Sequence, residues 1–197
     1  MNIDHLLKFT VLLDQFRQVR RAILVNGENR QENDAEHSFA LAMFAWYVAE
    51  KDKLPLDTNK VLKYALAHDI VEVYAGDTYF YSKDEAHVKS KIEREKNAAE
   101  RLLQEFPEFR ELHQMIEQYG MKKDMESKFV YALDKIQPLL HIYLDDGRTW
   151  KTDGVTLGML VEAKEDKIKV SPEVEKYWNE IKDLLKREEK KLFPSLE

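Results

Sequence analysis

Apolar residues recur at three- and four-residue steps along most of this chain, which is the spacing of one face of an α-helix. The first such pattern predicts a helix from Ile3 to about Val25, followed by a turn at Asn26-Gly27. No segment has the clean alternation of a β-strand, and no internal repeat or low-complexity stretch is present. The spacing therefore predicts an all-α fold.

The second predicted helix follows Asp34, whose side chain suits an N-cap, and contains an unbroken apolar run from Phe39 to Ala49. A helix that is apolar all round is normally buried on all sides, so we expect this helix at the centre of the fold. A third helix, again largely apolar, is predicted from Val61 to about Tyr74, where Gly76 ends it.

Further helices are predicted in the rest of the chain, over approximate ranges 84–105, 107–119, 125–145 and 155–167. The sequence Ser171-Pro172-Glu173 opens a last helix with a cap, a first-turn proline and an acidic residue, in the order that helices favour. A length of 197 residues suits one domain. We therefore expect residues 1–197 to form a compact, single-domain helical bundle.

The composition limits the partners and the compartment. Hydrophobic residues make up 44% of the chain and charged residues 35%, which allows a sizeable core and a charged surface. The net charge of -6 argues against binding a nucleic acid polymer, whose phosphates are usually held by many Lys and Arg side chains. No apolar run approaches the roughly 20 residues that cross a bilayer. With no secretory signal and no cysteine, we expect a cytoplasmic protein without a membrane partner.

Ionisable residues interrupt the third helix, which we expect to be buried. His68 and Asp69 are adjacent, and Glu72 follows Asp69 by three residues, so all three lie on one face of a continuous helix. A buried carboxylate is costly unless it is paired or bound to a metal ion. This segment is therefore a candidate for holding a cation between an imidazole and a carboxylate.

Two other predicted helices carry further candidates. His37 lies in the first turn of the second helix, and Asp134 lies between apolar residues of the helix over 125–145. Asp134 is also four residues before Pro138, and a proline at that distance clashes with the carbonyl of Asp134 and donates no hydrogen bond to it. We expect this helix to bend or open at Asp134.

Each of these signals has a simpler structural explanation when it is taken alone. His68 and Asp69 fit a core histidine with an ion-paired aspartate, and Asp134 fits a surface pair with Lys135. Asp77 fits an ordinary turn residue. Only the combination of the residues points to a site.

That combination, in the order His37, His68-Asp69, Asp134, resembles the H…HD…D pattern of the HD-domain metal-dependent phosphohydrolases. The segment from His68 to Asp77 is similar to the HD-x-x-E-x-x-x-G-D signature of the 5′-deoxynucleotidase branch of that family. The segment Glu32-Asn33-Asp34-Ala35-Glu36-His37-Ser38 resembles the first-histidine signature of the family. The segment Asp134-Lys135-Ile136-Gln137-Pro138-Leu139-Leu140, followed by Gly147-Arg148-Thr149-Trp150, resembles a bacterial subgroup of uncharacterised HD hydrolases.

The resemblance implies one divalent metal ion held by His37, His68, Asp69 and Asp134. Two imidazoles and two carboxylates without sulfur suit Mn, Co, Fe, Ni, Zn or Mg. The ion would lower the pKa of a coordinated water and neutralise charge on a phosphoryl group.

The resemblance also implies roles for residues around the metal ligands. Glu72 and Asp77 are expected to perform the acid–base chemistry, with the division of roles between them open. An arginine near the end of the first helix should contact phosphate, and both Arg20 and Arg21 fall near the required position, with Arg21 preferred. The tryptophan that nucleotidase relatives often carry just after this arginine is replaced by Ala22-Ile23, which puts inherited sugar selectivity in doubt.

The expected substrate is a small phosphorylated compound, a nucleoside 5′-monophosphate and preferably a 5′-deoxyribonucleotide. One alternative is hydrolysis of an alarmone such as (p)ppGpp, although Val73 after Glu72 and Ser38 after His37 depart from that type of hydrolase. Another alternative is a catalytically silent helical module that binds a nucleotide.

Two further expectations concern contacts outside the metal site. The aromatic segment Tyr79-Phe80-Tyr81 could stack on a base, or it could simply pack over the core. Because relatives are often dimeric, a homodimer is expected, and the charged stretch from Lys182 to Lys191 could pack between its subunits.

Overall fold

The computed structural model describes residues 2–79, 81 and 84–194. Its elements are α1 (Ile3–Phe16), β1 (Arg20–Leu24), β2 (Gln31–Asn33), α2 (Asp34–Lys51), α3 (Thr58–Ala67), α4 (Glu72–Ala75), α5 (Glu85–Lys89), α6 (Lys91–Glu105), α7 (Arg110–Met121), α8 (Met125–Leu144), α9 (Arg148–Asp153), α10 (Leu157–Ile168), α11 (Pro172–Arg187) and α12 (Glu189–Leu192). Within these residues the one sheet is the pair β1–β2, so the predicted all-α class is confirmed. None of the described helices combines the length and apolar character that crossing a membrane requires.

The first predicted helix was too long, because α1 ends at Phe16 and a β-hairpin follows. The strands β1 and β2 are antiparallel, and Gly27, with a φ of +74°, lies in the loop between them. Arg148 of α9 fastens this loop by donating from Nη2 to the carbonyls of Val25 (3.1 Å) and Glu28 (2.6 Å). Ile23, which fits the helical spacing, is instead buried as a strand residue. The hairpin places both candidate arginines on a strand.

The helix α2 is capped by Asn33 and begins with Asp34, which is fully buried. Asn33 and Glu36 form a capping box, with the Glu36 amide donating to Asn33 Oδ1 at 3.0 Å and the Asn33 amide to Glu36 Oε2 at 3.1 Å. The expectation that α2 is buried on all sides was wrong. One side packs on α3 and α8, and the opposite side exposes large apolar residues, namely Phe39, Met43, Trp46 and Tyr47.

The third predicted helix is not continuous. α3 ends at Ala67, residues 68–71 form turns, and the short helix α4 covers Glu72–Ala75 before Gly76, whose φ is +72°. The break lies at the junction of two apolar clusters. The larger cluster contains Val61 and Ala65 and is formed mainly by α2, α3, α8, α10 and α11. The smaller cluster contains Ile70 and is formed mainly by α1, α4, α6 and α7. His68 and Asp69 therefore lie between two cores.

The helix α8 runs from Met125 to Leu144 without interruption through Pro138. The helix therefore does not open at Asp134, and the expected bend stays a prediction, with Pro138 accommodated inside the buried part of α8. The predicted start of the last long helix is confirmed, since Ser171 is the N-cap of α11 and Pro172 its first residue. The boundaries of the expected domain and the expected homodimer stay predictions.

Candidate metal centre

His37 and Asp134 meet across the interior of the molecule. His37 lies in the first turn of α2, Asp134 lies in the middle of α8, and both side chains are buried. The distance from His37 Nε2 to Asp134 Oδ1 is 3.1 Å. Burial, followed by the positive charge of Arg21, lowers the pKa of His37 to about 4, so the imidazole is neutral at pH 7 and donates from Nε2 to the carboxylate.

His68 and Asp69 approach this pair from the break between α3 and α4. His68 donates from Nδ1 to the carbonyl of Ala65 at 2.9 Å, which orients the ring and directs Nε2 into the cluster. His68 Nε2 lies 2.9 Å from Asp69 Oδ2 and 3.9 Å from Asp134 Oδ1. The backbone carbonyl thus orients His68 in the way that metal-ligating histidines are usually oriented.

The four predicted ligands therefore lie in one cluster. Asp69 Oδ2 is 4.0 Å from His37 Nε2, and ligand atoms of His37, His68 and Asp69 all lie within 4.8 Å of one another, a spacing that one ion could bridge. His68 Nε2 is buried and has no hydrogen-bond partner with acceptable geometry among the described residues. Two imidazoles and carboxylate oxygens, with no thiolate, fit a borderline divalent cation. The assignment of these four residues as ligands stays a prediction.

The charges in the cluster favour a cation. Burial would raise the pKa of Asp69, but His68 and Arg21 outweigh it and hold the pKa below its ordinary value. Burial lowers the pKa of His68, but Asp69 and Asp134 outweigh it and raise the pKa. In the absence of a metal, the carboxylates thus favour a proton on His68, in the place where a metal ion would supply charge.

Arg21 lies within this cluster and Arg20 lies outside it. Arg21 Nη1 donates to Asp69 Oδ2 at 2.8 Å and to Asp34 Oδ1 at 3.0 Å, and its side chain is only 12% exposed. Arg20 is exposed and lines a groove of about 600 Å³ together with Glu72, Asp77 and other residues. The alternation of side chains along β1 explains why neighbouring arginines face different surroundings.

Glu72 and Asp77 lie next to the predicted ligands. Glu72 is 4% exposed, and burial, followed by the charges of Asp69 and Asp34, raises its pKa to about 11. The carboxyl of Glu72 is therefore protonated without a metal, and it is hydrogen-bonded to Asp34. Asp77 is half-buried, and burial raises its pKa although Arg21 opposes the shift.

The loop that carries Asp77 is held by side chains of α5 and α6. Arg94 donates to the carbonyl of Ala75 and, from Nη2, to Thr78 Oγ1 at 2.6 Å. His87 Nε2 lies 3.1 Å from the carbonyl oxygen of Asp77. These bonds fix the turn after Gly76 and so hold Asp77 in place, while its catalytic role stays a prediction.

Sequence reasoning missed three residues of the site. Asp34, expected to be an N-cap, is buried against Arg21 and forms with Asp69 and Glu72 a second group whose oxygens could hold an ion. Glu32 Oε2 is 3.7 Å from His37 Nδ1, and Lys135 contacts Asp134 through Nζ, with only 25% of its side chain exposed. The presence of Glu32 and Asp34 in the segment that matches the first-histidine signature was the available signal.

The aromatic loop is described only in part, because Phe80 lies outside the described residues. The rings of Tyr79 and Tyr81 meet edge to face with centroids 5.5 Å apart, and the Tyr79 hydroxyl donates to Asp153 Oδ2 at 2.6 Å. Both rings thus make contacts within the protein, as the packing alternative expected.

Comparison with known proteins agrees with the motif pattern. The sequence profile of the HD domain matches residues 13–178. A structure described as a predicted metal-dependent phosphohydrolase from Magnetospirillum magnetotacticum is 32% identical, with a TM-score of 0.82, over 98% of this chain and 96% of the other. No curated protein matches the chain significantly.

Two more distant structures share the fold. A conserved hypothetical protein from Pyrococcus furiosus is 22% identical, with a TM-score of 0.66, over 92% of this chain and 99% of the other. An HD-domain phosphohydrolase from Listeria innocua is 19% identical, with a TM-score of 0.56, over 92% of this chain and 90% of the other. Because the profile spans most of the chain and the first of these relatives matches almost end to end, the chain belongs to the HD-domain family of metal-dependent phosphohydrolases.

Proposed function

We propose that this chain is a phosphomonoesterase that removes phosphate from nucleoside 5′-monophosphates, with 5′-deoxyribonucleotides preferred. The observation that carries the proposal is the buried cluster in which His37, Asp69 and Asp134 converge from separate elements with a positively charged arginine beside them. A site of this kind can hold a cation and a phosphate together. A divalent ion in the cluster would stabilise charge on the phosphoryl group and acidify a coordinated water molecule.

To become a neutral ligand through Nε2, His37 would change tautomer, with its single ring proton moved from Nε2 to Nδ1. The other ring nitrogen, Nδ1, is buried without a hydrogen-bond partner among the described residues, and it faces Glu32 Oε2 at 3.7 Å. A proton on Nδ1 would then point toward a carboxylate, an arrangement that increases the basicity of a ligating histidine. Glu32 is thereby assigned a supporting role for His37.

Arg21 is the arginine that we assign to the phosphate. Nη1 is engaged by Asp69 and Asp34, and Nε, which makes no hydrogen bond among the described residues, lies 3.6 Å from Glu32 Oε2. A guanidinium beside the predicted metal ligands can turn an N–H group from these carboxylates to a phosphate oxygen. Arg20, which is exposed, is assigned no contact with the transferred phosphate.

We assign Glu72 to the attacking water and Asp77 to the leaving group. Glu72 is buried beside Asp69 and Asp34, where a bound cation would favour its ionised form and let the carboxylate take a proton from water. Asp77 is more accessible, and its raised pKa suits a group that gives a proton to the leaving oxygen. Both line the groove with Arg20, which provides room for a nucleoside.

The sugar preference rests on the similarity of the segment His68 to Asp77 to the 5′-deoxynucleotidase signature. Ile23, at a position near which such relatives often have a tryptophan, is buried in the larger core. This residue therefore makes no contact with a sugar, and any sugar selectivity must come from other residues. Val73, where an alarmone hydrolase has a second acid, packs against the smaller apolar cluster, which disfavours that alternative.

The test is phosphate release from a panel of 5′-ribonucleotides and 5′-deoxyribonucleotides, with Mn, Co, Zn or Mg added to metal-stripped protein. Asp69→Asn is compared with Asp166→Asn, which alters an exposed residue of α10. We expect metal-dependent release by the wild type and Asp166→Asn, and none by Asp69→Asn. Nucleotide binding without hydrolysis by any of the three proteins would favour a catalytically silent module, and release of pyrophosphate from (p)ppGpp alone would favour the alarmone alternative.

A further inference from the structure

Lysine side chains gather on one side of the predicted metal centre, around Asp134. They come from four parts of the chain, namely Lys91 at the start of α6, Lys122 at the end of α7, Lys135 in α8, and Lys164 and Lys167 in α10. All five residues are partly buried, although lysine is usually exposed. We refer to these five residues as the lysine cluster.

The members next to α8 are placed by direct contacts. Lys135 Nζ contacts Asp134 Oδ2, and it lies 5.0 Å from the centroid of the Tyr131 ring. Lys122 Nζ lies 4.7 Å from the same centroid. Two ammonium groups therefore share one aromatic ring beside a predicted metal ligand.

The helix α10 packs on α8 and brings the amino groups of Lys164 and Lys167 to this side. Burial, followed by the charge of Lys135, lowers the pKa of Lys164 to about 7. Burial, followed by the charges of Lys135 and Lys91, also lowers the pKa of Lys167. The lysines are thus close enough to repel one another, which is unfavourable unless an anion is bound.

Carboxylates of the protein neutralise only part of this charge. Lys135 is paired with Asp134, and Lys91 Nζ lies 3.3 Å from Glu95 Oε1. Lys122 donates to the carbonyl of Gly120 at 2.9 Å, and within the described part of the chain no carboxylate oxygen lies within 4 Å of Lys122 or Lys164. In a protein with a net charge of -6, amino groups such as those of Lys122 and Lys164, which lack a carboxylate partner among the described residues, favour an anionic ligand beside the predicted metal centre.

We propose that the substrate carries a second phosphate group, which the lysine cluster binds while the phosphate to be removed lies at the metal centre beside Arg21. This inference rests on the proposed function and narrows its substrate class. A nucleoside 5′-monophosphate has one phosphate, for which the metal and Arg21 suffice, and it would leave the lysine cluster unused. A nucleoside 3′,5′-bisphosphate, with its phosphates on separate oxygens of one sugar, has the required chemistry.

Kinetics with matched substrates test the proposal. We expect kcat/KM for deoxyadenosine 3′,5′-bisphosphate to exceed that for deoxyadenosine 5′-monophosphate by about tenfold or more, as one additional charge-assisted contact would give. In Lys164→Gln/Lys167→Gln this ratio should fall toward one. Lys186→Gln, which alters an exposed lysine of α11, should keep the wild-type ratio. Deoxyadenosine 5′-diphosphate serves as a third substrate. It distinguishes a second phosphate that is attached to the 5′ phosphate from one on the 3′ oxygen.

Calorimetric titration of Glu72→Gln with the same bisphosphate gives a readout that does not need turnover. Weaker binding after the two α10 substitutions would support the lysine cluster even if no phosphate were released, in which case only the proposed function fails. Equal kcat/KM for the two deoxyadenosine substrates in the wild type would overturn the lysine proposal and leave the proposed function intact. A diphosphate preferred over the bisphosphate would overturn the assignment to a 3′ phosphate.

Discussion

His37 Nε2 and Asp134 Oδ1 lie 3.1 Å apart, although 97 positions separate the two residues in the chain. This contact joins the first turn of α2 to the middle of α8, and both side chains are buried. A neutral imidazole that donates to a carboxylate is stable in the interior, but it requires displacement of only one proton to become a pair of metal ligands. The relationship suggests the first experiment.

Divalent metal should stabilise the folded protein through this pair. We expect the melting temperature of metal-stripped protein to rise when Mn or Co is added, because a ligand at 100 times its Kd contributes about 2.7 kcal/mol. Asp134→Asn should lose most of this rise, while Asp166→Asn should keep it. Differential scanning fluorimetry measures the shift. An unchanged metal-induced shift in Asp134→Asn would show that the ion binds elsewhere.

The two neighbouring arginines should behave differently. Arg21 lies among Asp69, Asp34 and the predicted ligands, so Arg21→Gln should lower kcat/KM by about 100-fold or more, the loss typical of a donor to the transition-state charge. Arg20→Gln, at an exposed position, should change it far less. Steady-state kinetics of the two variants with one substrate makes the comparison. A larger loss in Arg20→Gln would transfer the phosphate contact to that residue.

The sequence alone could identify the candidate ligands, because helical spacing shows which residues are expected in the interior of the protein. His68 and Asp69 stand out since their neighbours are apolar, and burying charge among apolar residues has a cost that only a partner or a metal offsets. The same spacing wrongly placed Ile23 in a helix. Ile23 is a buried strand residue that happens to follow Val19 by four positions. The hairpin depends on pairing between β1 and β2 and on Arg148, which is more than a hundred residues away.

Other features depend on tertiary packing that no local pattern records. The apolar run in α2 could not reveal which side α3 and α8 would cover, so Phe39 and Tyr47 were expected inside and are exposed. Lys164 sits in an ordinary amphipathic helix, and its position near Lys135 arises from the packing of α10 on α8. The choice between Arg20 and Arg21 likewise required the structure of β1, because the spacing to His37 did not decide between two adjacent residues.

Glu72 should make the metal-free protein less stable as the pH rises. Its pKa is about 11 in the folded state, against 4.5 ordinarily, so the folded state binds one more proton between these values and the free energy of unfolding falls with increasing pH. The contribution of Glu72 to this fall should be about 1.4 kcal/mol per pH unit, for one proton. His37 opposes this contribution below about pH 6.5, where it is protonated in the unfolded chain. Lys164, whose pKa is about 7 in the folded state against 10.5 ordinarily, opposes it above pH 7, so the contribution of Glu72 is the difference between the wild type and Glu72→Gln.

Urea unfolding of the metal-stripped protein at pH 7, 8 and 9 measures this dependence. Glu72→Gln, which keeps a neutral side chain of similar shape at every pH, should gain about 1.4 kcal/mol of stability relative to the wild type for each pH unit and should be the more stable protein at pH 9. Glu72→Gln should also lose turnover, if Glu72 acts on the water as proposed. An identical pH dependence in the two proteins would overturn the assignment to Glu72, because Glu32 and Asp34, with pKa values of about 7 and about 6, are ionised in both states over most of this pH range.

Gly147 should tolerate no side chain. Its φ is +72°, and an added Cβ would collide with the backbone carbonyl of Leu192 in α12. Gly147→Ala should therefore destabilise the protein by about 3 kcal/mol or more, from left-handed strain together with overpacking. Gly154→Ala is the matched control, because its φ is +68° and nothing lies within 4 Å of the added Cβ, so it should cost about 1 kcal/mol.

The clash at Gly147 should act on a defined contact. The rings of Trp150 and Phe193 are stacked with centroids 4.6 Å apart, which attaches the segment after α12 to α9. Chemical denaturation of both glycine variants, followed by tryptophan fluorescence, measures the free energies of unfolding. Equal destabilisation of the two variants would mean that backbone strain alone is responsible and that α12 moves away without cost.

Binding of a second phosphate should weaken as the pH rises through neutrality. Lys164 has a pKa of about 7, lowered first by burial and then by Lys135, with Lys167 and Arg21 acting in the same direction and Asp134 against them. A protonated lysine binds phosphate and a neutral one does not, so the affinity of Glu72→Gln for deoxyadenosine 3′,5′-bisphosphate should be higher at pH 6 than at pH 8.5. The phosphate itself gains charge over this range, which would produce the opposite trend. Calorimetry of Glu72→Gln and of Glu72→Gln/Lys164→Gln separates the two effects, because only the protein that retains Lys164 should lose affinity with increasing pH.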